Sequence, residues 1–327
     1  LEGAVQRLVT VFGGSGFVGR YVVRALARDG WRIRVAMRRP HLAPELRVMG
    51  DVGQIELMQA NVRYPDSSAR ALEGAEAVVN LVGVLYEAGR QNFEALHTAA
   101  AESIARQAAA AGVTQFVQVS AIGADPASPS VYGRTKAAGE QAVRAAIPGA
   151  TVLRPSVVFG AEDDFFNRFA AMAAISPALP LIGGGKTRFQ PVYAGDVGAA
   201  VAAALSKAEA AGRDYELGGP GVYTFRELME LMLRETHQRR ALVPVPIPAA
   251  KLLGRIGDLQ VKLAPFIAPQ VTTDQVALLQ RDNVAGEGRP GLAELGVAPT
   301  PLEAVLPLYL WKYRKGGQFA EPLATGA

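Results

Sequence analysis

Cysteine is absent from the chain, which removes disulfides, thiolate metal sites and cysteine nucleophiles together and fits a reducing compartment. Histidine is nearly absent. The three present, at 41, 97 and 237, share no metal-ligand spacing on one helix, so no metal is expected. Apolar runs long enough and free enough of charge or proline to cross a bilayer are also missing. Stretches such as "AAAESIARQAAAAGV" carry charges at helical spacing and read as packed helices. An excess of one charge sign is lacking too: 34 Lys and Arg stand against 30 Asp and Glu, scattered along the chain, which disfavours nucleic acid as a partner. The start, "LEGAVQRLVTVFGG", places Glu2 and Arg7 before a short apolar run and a glycine turn, the pattern of a first strand rather than a signal peptide.

What is present is enough apolar material, 50% of 327 residues, for a large core. Six runs of strand length, "RLVTVF", "RIRVAM", "IELMQA", "AVVNLV", "QFVQVS" and "TVLRPS", alternate with helical patterns. Each is apolar on successive residues, as in strands covered on both faces. The pattern predicts an α/β fold, a Rossmann-like doubly wound parallel sheet, over residues 1–180. From 181 to 327 the sequence turns Gly- and Pro-rich and helical, predicting a smaller, mostly helical C-terminal lobe that exchanges a strand with the first domain. Such a lobe would sit at the C-terminal strand edge, where open α/β sheets bind ligands. The closing "FAEPLATGA" reads as a frayed tail.

"LVTVFGGSGFVGRYVVRAL" sets Gly13, Gly16 and Gly19 at three-residue spacing between a strand and an amphipathic helix. Gly13 suits the tight turn, Gly16 the approach of backbone N–H groups to a diphosphate, and Gly19 the helix–strand contact. Ser15, Phe17 and Val18 flank this helix N-terminus, whose free N–H groups and dipole favour an anion. The second strand ends in Arg38 and Arg39 where a carboxylate would accept the ribose hydroxyls of NAD. Two guanidinium forks suit a 2′-phosphate, so NADP(H) is the preferred cofactor, with NAD(H) as the alternative. Asn61 and Val62 follow the third strand at the expected adenine edge, and Leu81, Val82 and Gly83 in "NLVGV" fall under the adenosine ribose.

"SVYGRTKAAGE" places Tyr132 and Lys136 four residues apart on one helix face. A phenol of ordinary pKa about 10 is a poor acid–base catalyst at neutral pH, and a neighbouring ammonium is expected to lower it. The same two side chains are expected to hydrogen-bond the nicotinamide ribose.

These residues resemble the short-chain dehydrogenase/reductase superfamily in its extended and atypical branches, through the glycine turn, "NLVGV", the Tyr132/Lys136 pair and "LRPSVVFG", over most of residues 7–220. Pro155, Val157 and Val158 of the last motif stand as cofactor contacts. "RPSVVFGAEDDFFNRFAAM", "RFQPVYAGDVGAAV" and "VTTDQVALLQRDNV" are similar to the NADPH-binding accessory subunit family of respiratory complex I and its bacterial relatives. The resemblance implies tight NADPH binding, a largely structural role and complex I subunits as partners, in the cytoplasm or on the inner face of the cell membrane. It also implies that Ser120 matches the first residue of the usual hydroxyl pair and that the catalytic slot falls on Ala121, a methyl group that donates nothing. His97 falls near an Asn of active relatives and reads as a buried structural residue. Whether the protein is an enzyme therefore stays open: if Ser120, Ser128 or Ser130 supplied the hydroxyl, it would be a free-standing short-chain reductase or nucleotide-sugar epimerase/dehydratase.

In the C-terminal region "PAAKLLGRIGDLQVKLAPF" puts Leu252, Leu253, Ile256, Leu259 and Leu263 on one helix face, with Lys251, Arg255 and Lys262 elsewhere. Packing against its own domain is the expected use of that face, and an anionic membrane surface the alternative. "LPLYLWKYRKGG" mixes Tyr309, Trp311 and Tyr313 with bases and suits an interface or a domain closure. "IGGGKT" lacks phosphate-loop spacing and reads as a turn, with Lys186 and Arg188 near any anionic substrate.

Overall fold

The computed structural model describes residues 7–264 and 267–319. The expected tail and the stretch ahead of Arg7 lie almost wholly outside them. Among the described residues thirteen strands follow one another: β1 (Leu8–Phe12), β2 (Arg32–Met37), β3 (Ile55–Gln59), β4 (Ala77–Asn80), β5 (Gln115–Val119), β6 (Thr151–Pro155), β7 (Val158–Phe159), β8 (Ala178–Ile182), β9 (Arg188–Phe189), β10 (Val192–Tyr193), β11 (Asp214–Leu217), β12 (Tyr223–Thr224) and β13 (Ala241–Val245). Between and after them run α1 (Phe17–Arg28), α2 (Pro65–Leu72), α3 (Ala100–Ala110), α4 (Val131–Ala146), α5 (Phe166–Ile175), α6 (Ala194–Ser206), α7 (Phe225–Glu235), α8 (Ile247–Leu263), α9 (Thr273–Leu278), α10 (Leu302–Val305) and α11 (Pro307–Leu310).

Seven strands form one parallel sheet in the order β11-β6-β5-β4-β1-β2-β3. All six sequence-read runs become β1 to β6. They are apolar on consecutive residues because α1 and α6 cover one face, while α2, α3 and α4 cover the other. The strand order reverses between β1 and β4, the switch point where such sheets take ligands.

The boundary at residue 180 is crossed in both directions. β11 and α6, beyond it, complete the sheet layer, and a Cβ at Gly198 of α6 would lie 2.8 Å from the Tyr21 carbonyl oxygen of α1. β7 and α5, before it, and β8, which spans it, join α7, α10 and α11 in a second apolar core that contains Phe159, Phe166, Phe225 and Leu306. The "FGAEDDFFNRFA" run builds this lobe through Asp163, whose carboxylate accepts from the N–H groups of Phe166 (2.6 Å) and Gly160 (3.2 Å). Tyr309 also donates its hydroxyl to Asp163, and Tyr313 reaches Asn167 at 3.1 Å. The aromatic C-terminal stretch thus closes the lobe. Gly183, Gly184 and Gly185 all take positive φ and form the expected turn.

One expectation fails on α8. Its buried residues are Ala250, Gly254, Gly257 and Val261, while the five Leu and Ile side chains are 46% to 76% exposed. The glycines explain the inversion. A Cβ at Gly257 would stand 1.9 Å from the Val271 carbonyl oxygen, and one at Gly254 2.8 Å from Thr273 Cα, so this flat side lies directly on the backbone of residues 271–273.

Candidate nucleotide site

β1 ends at Phe12 and the chain turns on Gly13, at φ +82°, against the end of β4: a Cβ there would meet the Leu81 carbonyl carbon at 3.1 Å and the Val82 nitrogen at 3.2 Å. Gly19 is required by the helix–strand contact, since its Cβ would lie 2.3 Å from the Gly13 carbonyl oxygen. Gly16 differs. A Cβ on it would meet the protein only once, at 3.3 Å, so nothing in the fold strongly excludes a side chain there. Gly16 is exposed and begins α1 with no side-chain cap and no acid in the first turn, while Ser15, Phe17 and Val18 beside it are partly exposed. A helix N-terminus left open in this way, at the switch point, fits a diphosphate.

Beside it, between the ends of β2 and β3, lies a cavity of about 500 Å³ lined by Arg38, Asn61, Tyr64, Asp66, Ser67 and Arg70, among others. Arg38 and Arg39 are both exposed, and neither has a carboxylate within 4 Å among the described residues. Only Arg38 lines the cavity; Arg39 precedes the turn Pro40–Leu42. Arg70, on α2, was missed by sequence reasoning, although "YPDSSARAL" directly after β3 signals a helix facing that edge. The Asn61 side chain accepts from the Arg63 N–H at 3.2 Å, and Val62 packs on the core beneath.

At the other end of the crevice, α4 presents Tyr132 and Lys136. Lys136 is buried, and among the described residues its Nζ has one weak partner, the Val119 carbonyl at 3.4 Å. Burial pulls its pKa down to about 8, against the opposing pull of Glu140, which is itself held by Arg154 at 3.0 and 2.5 Å. Tyr132 departs from expectation. Burial, and then the Asp274 charge, push the phenol up to about 12, so in this state the ammonium does not activate it. A cation with one poor acceptor, next to a phenol, fits the hydroxyls of a nucleotide ribose. Gly83 sits here: a Cβ on it would lie 3.2 Å from Lys136 Nζ, which places it nearer the Tyr/Lys pair than the Arg38 cavity.

His97 is a structural group. Val84 donates its N–H to Nε2 at 3.1 Å, and Nδ1 lies 3.2 Å from Thr135 Oγ1, which itself donates to the Val131 carbonyl at 2.9 Å. That pattern assigns the proton to Nδ1. The ring stacks on Phe93 at 5.2 Å and meets Tyr132 edge-on; burial and the Lys136 charge hold its pKa down to about 3.

Of the three serines named as hydroxyl donors, Ser130 is occupied, since it caps α4 and donates to Asp274 at 2.7 Å, while Ser128 Oγ accepts from the Ser130 N–H at 3.3 Å. Ser120 is buried, and its Oγ has no partner among the described residues. Ala121 follows it.

Besides Arg70, the residues that sequence reasoning missed lie on the segment 271–283. Asp274 accepts from Ser130 Oγ (2.7 Å), Val131 N (2.6 Å) and Tyr132 N (3.3 Å), and so fixes the first turn of α4. Gln275 donates to the Leu85 carbonyl at 3.2 Å. The Asn283 Oδ1 accepts from Ser156 Oγ (2.7 Å) and Val157 N (2.9 Å), and its Nδ2 reaches the Ile122 carbonyl at 3.3 Å. These contacts join the chain just beyond β5, at Ile122, and just beyond β6, at Ser156 and Val157 between Pro155 and Val158, to α4. "VTTDQVALLQRDNV" is thus a strap over the Tyr132 end of the crevice.

The fold recurs in an NADPH-dependent quinone oxidoreductase from Escherichia coli solved with NADPH, at TM-score 0.70 and 19% identity over 92% of this chain and 98% of that one. Among curated proteins, NADH dehydrogenase [ubiquinone] 1 alpha subcomplex subunit 9, mitochondrial, of Arabidopsis thaliana is 39% identical over 95% of this chain and 79% of its own length. A ceramide reductase of Caulobacter vibrioides is 36% identical over 54% of each chain. The model of the NAD dependent epimerase/dehydratase family matches residues 9–218, spanning the glycine turn, the Tyr132/Lys136 pair and β11. The chain belongs to that family.

Proposed function

We propose that this protein is an NADP(H)-binding accessory subunit of a bacterial respiratory complex I, in which the nucleotide is held mainly for structure. The observation that carries the reading is the Tyr132/Lys136 pair under its strap. It is built to hold a ribose, yet the phenol is raised to about 12 and the neighbouring slot is Ala121. Likeness over 95% of the chain to a mitochondrial complex I subunit supports the assembly role. Its place is then the cytoplasm, peripherally on the inner face of the cell membrane, among other complex I subunits.

The α1 N-terminus at Gly16 would hold the diphosphate, Arg38 with Arg70 the 2′-phosphate, Asn61 and Val62 the adenine edge, and Tyr132 with Lys136 the nicotinamide ribose. Bound NADP(H) supplies hydride-transfer capacity. The chain's own residues would orient the ribose, whose hydroxyls would in turn satisfy Lys136, and by binding only the folded state the nucleotide stabilises it by mass action.

The test is the nucleotide released when the purified protein is denatured. NADP(H) near one equivalent is expected, and Arg38→Ala should cut NADPH affinity about tenfold or more while leaving NADH nearly unchanged. Release of NAD(H), or of neither, would sink the proposal. Native fractionation tests the partner: the chain should migrate with complex I activity.

A second reading, a free-standing reductase, has one observation in its favour. Ser120 Oγ is buried and unpartnered, as a carbonyl-binding hydroxyl would be, and the ceramide reductase likeness agrees with it. Sustained NADPH oxidation with a carbonyl substrate, abolished in Ser120→Ala, would establish that reading instead.

A further inference from the structure

We infer that the outward face of α8 is a docking surface for an anionic lipid bilayer. The inference names the surface behind the peripheral location proposed above, and it stands on α8 alone.

At about 100° per residue, Leu252, Leu253, Ile256, Leu259 and Leu263 form one stripe whose centre lies about 150° from that of the packed residues Ala250, Gly254, Gly257 and Val261. Five large aliphatic side chains are therefore held away from the protein by backbone contact on the opposite side, which the close approach of Gly257 to Val271 locks. Single exposed leucines need no explanation, whereas a continuous stripe along one helix does. Ile267, just beyond the helix, is half exposed as well.

Charge decides the occupant. Lys251, Arg255 and Lys262 are exposed and fall within about 40° of one another, directly alongside the apolar stripe. None has a carboxylate within 4 Å among the described residues. Lys251 and Arg255, four apart, repel each other within the helix. The helix's one acid, Asp258, is turned toward the packed side, where its Oδ1 accepts from the Thr273 N–H at 3.3 Å. A leucine stripe edged by unpaired bases, with the acid withdrawn, matches a helix lying in the plane of a bilayer. Its aliphatic groups enter the acyl boundary, and its bases meet headgroup phosphates.

The test uses the full purified chain with bound NADPH and no other subunit, floated with vesicles of phosphatidylcholine alone or of phosphatidylcholine with phosphatidylglycerol. Flotation is expected with the anionic vesicles and should weaken with added salt. Ile256→Glu with Leu259→Glu should abolish it. Replacing Lys251, Arg255 and Lys262 with Gln should lower partitioning about a hundredfold. Both variants alter only exposed positions, so an unchanged melting temperature and retained NADPH certify their fold. Failure of the wild type to float while it keeps NADPH overturns the proposal and leaves the stripe to a protein partner, as does flotation unaffected by the substitutions. Loss of NADPH from the wild type would count against the nucleotide reading instead.

Discussion

α1, with the single Gly19, and α8, with Gly254 and Gly257, are both amphipathic helices, and they bury opposite faces. In α1, Val22, Val23 and Leu26 face the sheet, and Gly19 permits contact only at the N-terminal turn. In α8 the small residues face inward along the helix and the large ones outward. The difference teaches that a hydrophobic stripe states which side of a helix avoids water, not which neighbour will cover it. A row of glycines can win the packing position because it lets backbone approach backbone, and the apolar stripe is then left for something outside the chain.

The sharpest way to break this contrast is to truncate one large residue on each helix. Leu26 is fully buried, so Leu26→Ala should cost about 2–5 kcal/mol through lost burial and a residual cavity. Thermal or denaturant unfolding reads it directly. A cost below about 1 kcal/mol would mean that the α1 face is not the packed one.

The contrast has its counterpart at the glycines. Gly257→Ala brings a methyl group to within 1.9 Å of the Val271 carbonyl oxygen, a backbone atom that no rotamer change relieves. A loss of about 1–3 kcal/mol is expected, as α8 lifts off residues 271–273. Because Asp274 follows directly and fixes the first turn of α4, NADPH should also dissociate faster, as seen by fluorescence after dilution. Gly16→Ala should do the reverse. With one protein contact at 3.3 Å, it should leave the nucleotide-free fold nearly as stable while weakening NADPH binding. Equal destabilisation by both would erase the distinction between a glycine required by packing and one required by a ligand.

Sequence reading reached the α1 end of the molecule and stopped short of α8 for physical reasons. β1 to β6 were legible because two-sided burial makes each an unbroken apolar run. β11, "DYEL", was not: at the sheet edge only Tyr215 and Leu217 are buried, and its acids pair outward or with Arg144 and Arg154. Gly13 and Gly19 were legible because the turn itself requires them. Asp274 and Asn283 were not, because their partners lie 126 to 161 positions earlier in the chain and nothing local marks an acid as the cap of a distant helix. The phenol of Tyr132 was misjudged because burial raises it most and the charge that adds to this comes from the distant Asp274, neither of which is marked locally.

Burial at the α4 end can also be read by titration. Lys136 has its pKa depressed to about 8 in the folded chain, so between about pH 8 and its ordinary value of 10.5 the unfolded chain binds more protons. Stability without nucleotide should therefore rise with pH through that window, by at most about 1.4 kcal/mol per pH unit. Above about pH 10 Tyr132 works the other way, since its folded value is raised, so the measurement belongs between pH 8 and 10. His97, depressed to about 3, contributes stability that is full above about pH 6.5 and is lost as pH falls toward 3. With NADPH bound, ribose acceptors favour the ammonium, and the rise above pH 8 should flatten. An identical slope in Lys136→Met would remove Lys136 as its cause.

The smallest expected effect is the one that isolates α8. Leu259 is 55% exposed, so truncating it removes little buried area and opens no cavity; Leu259→Ala should change stability by no more than about 0.5 kcal/mol. The same substitution type thus separates a covered face from an uncovered one by several-fold in free energy, within one protein and one assay. Should Leu259→Ala instead cost as much as Leu26→Ala, the stripe would be covered by the protein itself in solution, most simply by a second copy, and the melting temperature would then depend on protein concentration. A null effect in the isolated chain, together with weakened flotation on anionic vesicles, would place the missing contact in the bilayer and not in the fold.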